Sequence, residues 1–519
     1  MLMLIYTNMQ LLSETKMIKN KKTAKKLSTR LSIVVLSLLF LLTGLLPLTI
    51  TNPQSAHAAT LPAYRYTKTF DTSAAGASAY ATGVATDSSG NIYVTGQFSG
   101  TVVFDGVGGS DSKTSTNQSS FLTKYNANGS YAYTKIFDTS AAGASAYANS
   151  VATDSSGNIY ETGSFTGTVV FDGVGGSDSR TSTNQSSFLT KYNANGSYAY
   201  TKIFDTSAAG AQAYAAGVAT DSSGNVYETG YFIGTVVFDG VGGSDSKTST
   251  NQSSFLTKYN ANGSYAYTKI FDTSAAGASA QGAGVATDSS GNVYETGYFI
   301  GTVVFDGVGG SDSQTSTNGS SFLIKYNANG TYGYTKIFDT SAASASAQGY
   351  GVATDSSGNV YVTGDFGGTV VFDGVGGSDS QTSTNGSSFL TKYNANGSYA
   401  YTKIFDTSAN GAGVNGYSVA TDSSGNVYET GSFIGTVVFD GVGGSYSQTA
   451  GGSNYDAYLT RYNANGSYGW TKTFDTTNGD IDPEVGSVAT DIQGNAYITS
   501  AFIGTVVFDG VGGSDSYCR

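Results

Sequence analysis

Histidine and cysteine are almost missing from this 519-residue chain: each occurs once, at His57 and Cys518. Both Ser-His-Asp and Cys-His catalysis are thereby excluded, as are histidine metal sites and any internal disulfide. Positive charge is scarce too, with 25 Lys and Arg against 37 Asp and Glu. Seven of the positives and one acid lie in the first 58 residues, so the remainder carries 18 against 36, a net of −18. That sign argues against binding nucleic acid or anionic lipid. Glycines follow strand-like runs but lead into no helix, which removes the phosphate-cradling loops of nucleotide enzymes. What the chain has in quantity is glycine, 70 residues, and tyrosine, 38.

The first 58 residues read as a removable leader. A basic run spans Lys16 to Arg30, an apolar stretch follows from Leu31 to Ile50, and Ser55-Ala56-His57-Ala58-Ala59 supplies small residues for an A-x-A cut after Ala58. The domain organisation expected is therefore a signal peptide over 1–58 and an exported domain over 59–519. No membrane insertion is expected once the signal is removed. Export without disulfides means that the fold must be stable without covalent staples.

A unit of about 67 residues recurs through the rest of the chain. Copies begin at Thr67, Thr134, Thr201, Thr268, Thr335, Thr402 and Thr471, and the seventh stops at Arg519. Within a unit the period is 2. Aromatics alternate with small residues in Tyr131-Ala132-Tyr133-Thr134-Lys135-Ile136-Phe137, and Phe121 shares a face with Tyr125. Asp87-Ser88-Ser89-Gly90-Asn91 and Asn126-Ala127-Asn128-Gly129 are tight-turn sequences. The unit is thus a four-stranded meander, with strands near Gly83–Asp87, Asn91–Phe98, Ser119–Asn126 and Ser130–Phe137. Such sheets have two faces to bury, and radial packing buries both. The fold class expected is all-β: a β-propeller of four-stranded blades, seven-bladed, with the last blade incomplete at the C-terminus.

Three segments, Asp-Ser-Ser-Gly-Asn-Ile-Tyr-Val-Thr-Gly (87–96), Phe-Leu-Thr-Lys-Tyr-Asn-Ala-Asn-Gly (121–129) and Tyr-Thr-Lys-Ile-Phe (133–137), resemble the bacterial SBBP β-propeller repeat. The resemblance runs from about residue 64 to the end. It implies exported, often cell-surface bacterial proteins and transfers no catalytic residue. One departure is that Tyr133, Tyr200, Tyr267, Tyr334 and Tyr401 stand where such repeats often place tryptophan; the one tryptophan is Trp470.

Tight turns at one end of each sheet and long connections at the other, Asp71 to Thr82 and Ser99 to Gln118 in the first copy, should give the disc two unlike faces, with Thr101-Val102-Val103-Phe104 offering a further short strand inside the second. The long connections are acidic. Asp-Gly-Val-Gly-Gly-Ser-Asp places two carboxylates six apart in a glycine loop, a pattern able to offer oxygen ligands to a divalent cation such as calcium. The candidate metal residues are the pairs Asp105 and Asp111, Asp172 and Asp178, Asp239 and Asp245, Asp306 and Asp312, and Asp373 and Asp379. The alternative is that these carboxylates accept backbone hydrogen bonds and solubilise the surface. Glu161, Glu228, Glu295 and Glu429 occupy a place held by Val94, Val362 and Ile498 in other copies, which reads as a half-exposed position tolerant of either type. Most tyrosines, the Tyr93 and Tyr133 series included, should fill the spaces between blades.

Repetition argues against catalysis, which needs one asymmetric constellation with tuned environments. The expected function is an exported, monomeric binding or surface-display scaffold. Its partner would be a cell-wall polymer, a glycan or another surface protein. The alternative is a carbohydrate-active or lyase-type propeller using carboxylates and calcium. At the ends of the chain, Tyr64–Phe70 reads as an orphan fourth strand that should pair with the last blade or be loosely held. The ending Ser516-Tyr517-Cys518-Arg519 departs from the repeat, as if a tail of about 17 residues, the span Thr114–Ser130, were lost.

Overall fold

The computed structural model describes residues 63–451, 454–481, 486–508 and 516–518. The chain divides into Met1–Thr60 and Leu61–Arg519, and the architecture below is that of the second unit. The signal-peptide reading of 1–58 lies outside the described residues.

Blade one shows how the unit folds. Strands β1 (Ser78–Thr86), β2 (Ile92–Val103), β3 (Ser112–Tyr125) and β4 (Tyr131–Ile136) pair antiparallel in sequence order. The β1–β2 turn is closed by Asp87, whose Oδ1 accepts the backbone N–H of Ser89 and of Asn91, each at 2.9 Å. Its Oδ2 accepts from Asn91 Nδ2 at 2.8 Å and from the Tyr93 hydroxyl at 3.0 Å. Gly90 takes φ +78°, a conformation that side chains oppose. The same clasp recurs through Asp154, Asp221, Asp288, Asp355, Asp422 and Asp491.

The long connection expected between Ser99 and Gln118 is mostly a hairpin. After an irregularity between Phe98 and Gly100, β2 and β3 pair again from Gly100↔Ser115 to Val103↔Ser112. The cause is the β-branched run Thr101-Val102-Val103, whose Val102 is fully buried. Six sheets of this kind are complete, at 78–136, 145–203, 212–270, 279–337, 346–404 and 413–473.

The core lies between blades. Tyr93 and Leu122 of blade one pack with Ile159, Phe165, Phe171 and Phe188 of blade two. Phe137, at the end of blade one's last strand, enters blade two's ring cluster, with its centroid 4.8 Å from Phe171 and 5.2 Å from Phe188. Each blade thus donates a phenylalanine to the next, so every blade boundary is also an apolar contact. The Tyr93 series is buried as expected; the Tyr133 series is half-buried, resting on the turn glycine of the next blade.

The expectation of seven blades is corrected to six complete ones with further C-terminal strands. Ser487–Thr490 and Ala496–Thr499 form a two-stranded sheet, while Asp475–Ile481, Phe502–Val507 and Ser516–Cys518 form a three-stranded one. The reason is a break. In blade one β2 is continuous, whereas here its counterpart is cut at Ser500 and Ala501. The outer half then pairs with Asp475–Ile481, where earlier copies have a single bridge such as Asp71↔Val103. Among the described residues, no strand takes the third and fourth places beside Ala496–Thr499.

The first strands nevertheless close a ring. Thr153, Thr220, Thr287, Thr354, Thr421 and Thr490 each donate a hydroxyl to the carbonyl of the equivalent threonine one copy back, and Thr86 donates to Thr490, all at 2.8 Å. Residues 63–70 form no strand. Yet Phe70 occupies the place of Phe137 in blade one, 4.9 Å from Phe104 and 5.2 Å from Phe121.

Candidate functional site

The aspartate loops at 104–111 and their counterparts sit at the tips of the β2–β3 hairpins. Asp105 Oδ2 accepts the backbone N–H of Ser110 and Oδ1 that of Asp111, both at 2.8 Å. These two bonds, Ser110's foremost, hold the carboxyl below its ordinary range. The second carboxylate faces elsewhere. Asp111 accepts from the Tyr131 hydroxyl and pairs with Lys113 at 2.5 Å. Asp178 and Asp245 repeat this with Arg180 and Lys247. Asp312 and Asp379 accept instead from Gln314 and Gln381. Asp172, Asp239, Asp306 and Asp373 staple their own loops as Asp105 does. Each pair thus divides its work between loop closure and a tyrosine. Among the described residues, no group of three or more His, Cys, Asp or Glu comes together.

The strand glutamates are the chemically distinctive groups, and the sequence reading of a half-exposed position does not hold for them. Glu161, Glu228, Glu295 and Glu429 are at most 1 % exposed. Each lies at a blade boundary and is gripped by the preceding blade. Glu161 Oε1 accepts the Thr95 and Ser120 hydroxyls, each at 2.5 Å. Glu228 accepts from Thr162 at 2.6 Å and Ser187 at 2.5 Å. Glu295 and Glu429 are held alike by Thr229 with Ser254 and by Thr363 with Ser388. The other oxygen, Oε2, is buried without a hydrogen bond in Glu161, Glu228 and Glu295. Burial pushes all four carboxyls up to about 7, against the downward pull of the hydroxyls.

The copies without glutamate complete the pattern. Where Val362 replaces it, the facing Ser321 hydroxyl is buried and unpartnered; where Val94 does, the same is true of Thr499. Where Ile498 stands, the serine itself is gone and Ala457 packs in the same apolar cluster. A partial sequence signal was therefore present: every glutamate follows a serine in the copy before it and Ile498 follows Ala457, although Val362 also follows a serine, Ser321. It was hidden because the partners lie 41 positions apart and only meet across a blade boundary.

A cleft of about 320 Å³ opens between blades one and two, bringing Lys113 and Lys135 to Asp172, Val174 and Tyr198.

Two solved structures share a general likeness to this chain. One is the β-propeller domain of the Trilobed protease from Pyrococcus furiosus, described as having an open velcro topology. It has 8 % identity and a TM-score of 0.30 over 76 % of this chain and 97 % of that one. The other is a protein of unknown function from Bacteroides caccae, with 11 % identity and a TM-score of 0.27 over 55 % of this chain and 89 % of that one. No curated protein matches the chain. The SBBP β-propeller repeat model matches residues 72–97 and 334–365. These matches run through the first-strand and second-strand framework of blades one and five, including the Asp87 and Asp355 clasps, and the folded sheets are propeller blades: the chain carries SBBP β-propeller repeats.

Proposed function

We propose that this protein is an exported β-propeller that acts as a rigid binding scaffold at the bacterial surface. The observation that carries this reading is the inequality of the two ends of the blades. One end consists of short turns locked by Asp87 and its counterparts. The other projects six hairpins whose tips expose Val107, Val174, Val241, Val308, Val375 and Val442 at 71 to 80 %. A framework fixed at every boundary and elaborated at one end suits a protein that presents a surface. The leader and the excess of acids support export in soluble form. The test is expression of the full chain in a Gram-positive host, followed by fractionation and sedimentation with isolated walls. Recovery in the medium or on the wall, with co-sedimentation, supports the scaffold. Retention in the cytoplasm, or failure to associate with any wall or surface fraction, overturns it.

A further inference from the structure

Five copies of the unit have the same length and align without gaps. Their most exposed apolar residues do not vary. The hairpin tip Asp-Gly-Val-Gly-Gly-Ser is identical in every copy although its valine is the most exposed large apolar residue of each blade. Variation falls elsewhere. One position reads Thr82, Asn149, Ala216, Ala283 and Tyr350; another reads Gln97, Ser164, Tyr231, Tyr298 and Asp365. These residues are half-buried or buried. Neutral drift should strike exposed loops first, because surface changes cost least. Here the exposed hairpin tips are unchanged and a half-buried patch differs from blade to blade.

The fold brings the variable positions together. Thr82 is the unpaired residue at the irregularity of β1, and Tyr80 lies opposite Gln97 across the ladder. Tyr80 is the third and Thr82 the fifth of the nine residues of β1, the strand of each blade that builds the central ring. Contacts link the positions between blades: Thr82 donates to the Ala148 carbonyl at 2.8 Å, and the Tyr350 ring lies 5.8 Å from that of Tyr417. Within blade three, Tyr214 stacks on Tyr231 at 5.3 Å. In blade five, Tyr350 donates to Gln348 at 2.8 Å, and Gln348 lies opposite Asp365, whose Oδ1 is buried without a hydrogen bond.

The chemistry of the patch selects a partner. It holds tyrosine, carboxamide and hydroxyl groups, with Asp365 as a lone carboxylate and no lysine or arginine at the two positions. Tyrosine supplies a flat apolar face with a polar tip, and carboxamides supply donor and acceptor together. This set matches a hydroxylated, uncharged ring. A net charge of −18 repels anionic polymers, and the patch is too polar for an apolar helix. We propose that the inner strands around the axis bind a neutral oligosaccharide, with Tyr350, Tyr417, Gln348 and Asp365 forming the principal subsite. This rests on the binding-scaffold reading and names the ligand class for it.

The test uses the full chain on immobilised neutral glucan, mannan and N-acetylglucosamine oligomers, with polygalacturonate and a polyol phosphate as charged probes. Tyr350→Ala and Asp365→Ser restore residues that Ala216 and Ser164 already place at those positions, so folding should be unaffected. The expected result is binding to a neutral glycan, weakened at least 10-fold by either substitution with an unchanged melting temperature. Ser357→Ala, in the exposed tight turn at the opposite end of the blade, keeps its backbone N–H bond to Asp355 and should leave binding intact. Glycan binding that survives both substitutions, or is confined to the charged probes, overturns this assignment and leaves the scaffold reading standing. Absence of binding to every glycan also overturns the assignment; if wall association is absent too, the scaffold reading fails with it.

Discussion

Asp87 and its six counterparts are the most heavily used side chains of the framework. Each satisfies two backbone N–H groups and two side-chain donors, so one carboxylate fixes the turn and anchors the buried tyrosine of the following strand. Asp221→Ala leaves the Ser223 and Asn225 N–H groups and the Tyr227 hydroxyl unmatched. The expected loss is about 2–3 kcal/mol, read by urea denaturation; a loss below about 0.5 kcal/mol would show that water replaces the clasp. The glutamates make stability depend on pH. Their folded value near 7 lies above the ordinary 4.5, so the folded state holds extra protons between these values. Stability is therefore greatest below about pH 4.5 on their account and falls as pH rises through 7. Each contributes about 3 kcal/mol of that decline at most. The acid-side window of Asp105, whose carboxyl is held low, lies below it and has the opposite slope. The melting temperature should drop between pH 5 and pH 8, and Glu161, Glu228, Glu295 and Glu429 all changed to Gln should flatten the curve. An unaltered slope in that variant would assign the effect to other groups.

At the level of the strand, close approach decides which glycines matter. A Cβ on Gly230 would sit 1.9 Å from the Tyr214 carbonyl oxygen of the neighbouring strand. Gly96, Gly163, Gly297, Gly364 and Gly431 meet the same obstruction, which explains why every complete blade has glycine there. A Cβ on Gly367 meets only the Ser346 hydroxyl, 3.9 Å away, and its counterparts are Ser99, Thr166, Ile233 and Ile300. Gly230→Ala should cost about 2–3 kcal/mol, while Gly367→Ala should stay within about 0.5 kcal/mol. Thermal melts of the two variants side by side check this, and equal melting temperatures would contradict the register. The strands and both tight turns were legible from period 2 and from Asp-Ser-Ser-Gly-Asn and Asn-Ala-Asn-Gly. The hairpin from Gly100 to Ser115 was legible only as a short apolar run, because its pairing partner is a polar Ser-Thr stretch without a strand signature.

For the whole molecule, the question is how the ends of the ring meet. The threonine hydroxyl cycle passes through Thr490 and returns to Thr86, so the C-terminal strands join blade six to blade one. The N-terminal segment contributes Phe70 to blade one as each other blade receives a phenylalanine from its predecessor. Phe70→Ala should cost about 2 kcal/mol. It should also raise hydrogen exchange in β1 and β2 more than in blades three and four, since the loss is local to one boundary. Uniform exchange across all blades would mean that the ring opens as a unit and that Phe70 is not a local seal.

By itself, the sequence determined the blade: its four strands, its clasped turns, its alternation of buried and exposed positions and its repetition. All of these rest on residues within a few positions of one another, where local sterics and hydrogen bonding act. Only the tertiary structure decided what crosses a boundary. It turned Glu161 from a tolerant strand position into a buried carboxyl held by Thr95 and Ser120. It split the last second strand at Ser500 and Ala501 and left six complete blades. It also gathered Thr82, Gln97 and their variants along the inner strands around the axis. Each of these depends on which sheet lies against which, and that is set by radial packing of whole blades rather than by any residue's own preference.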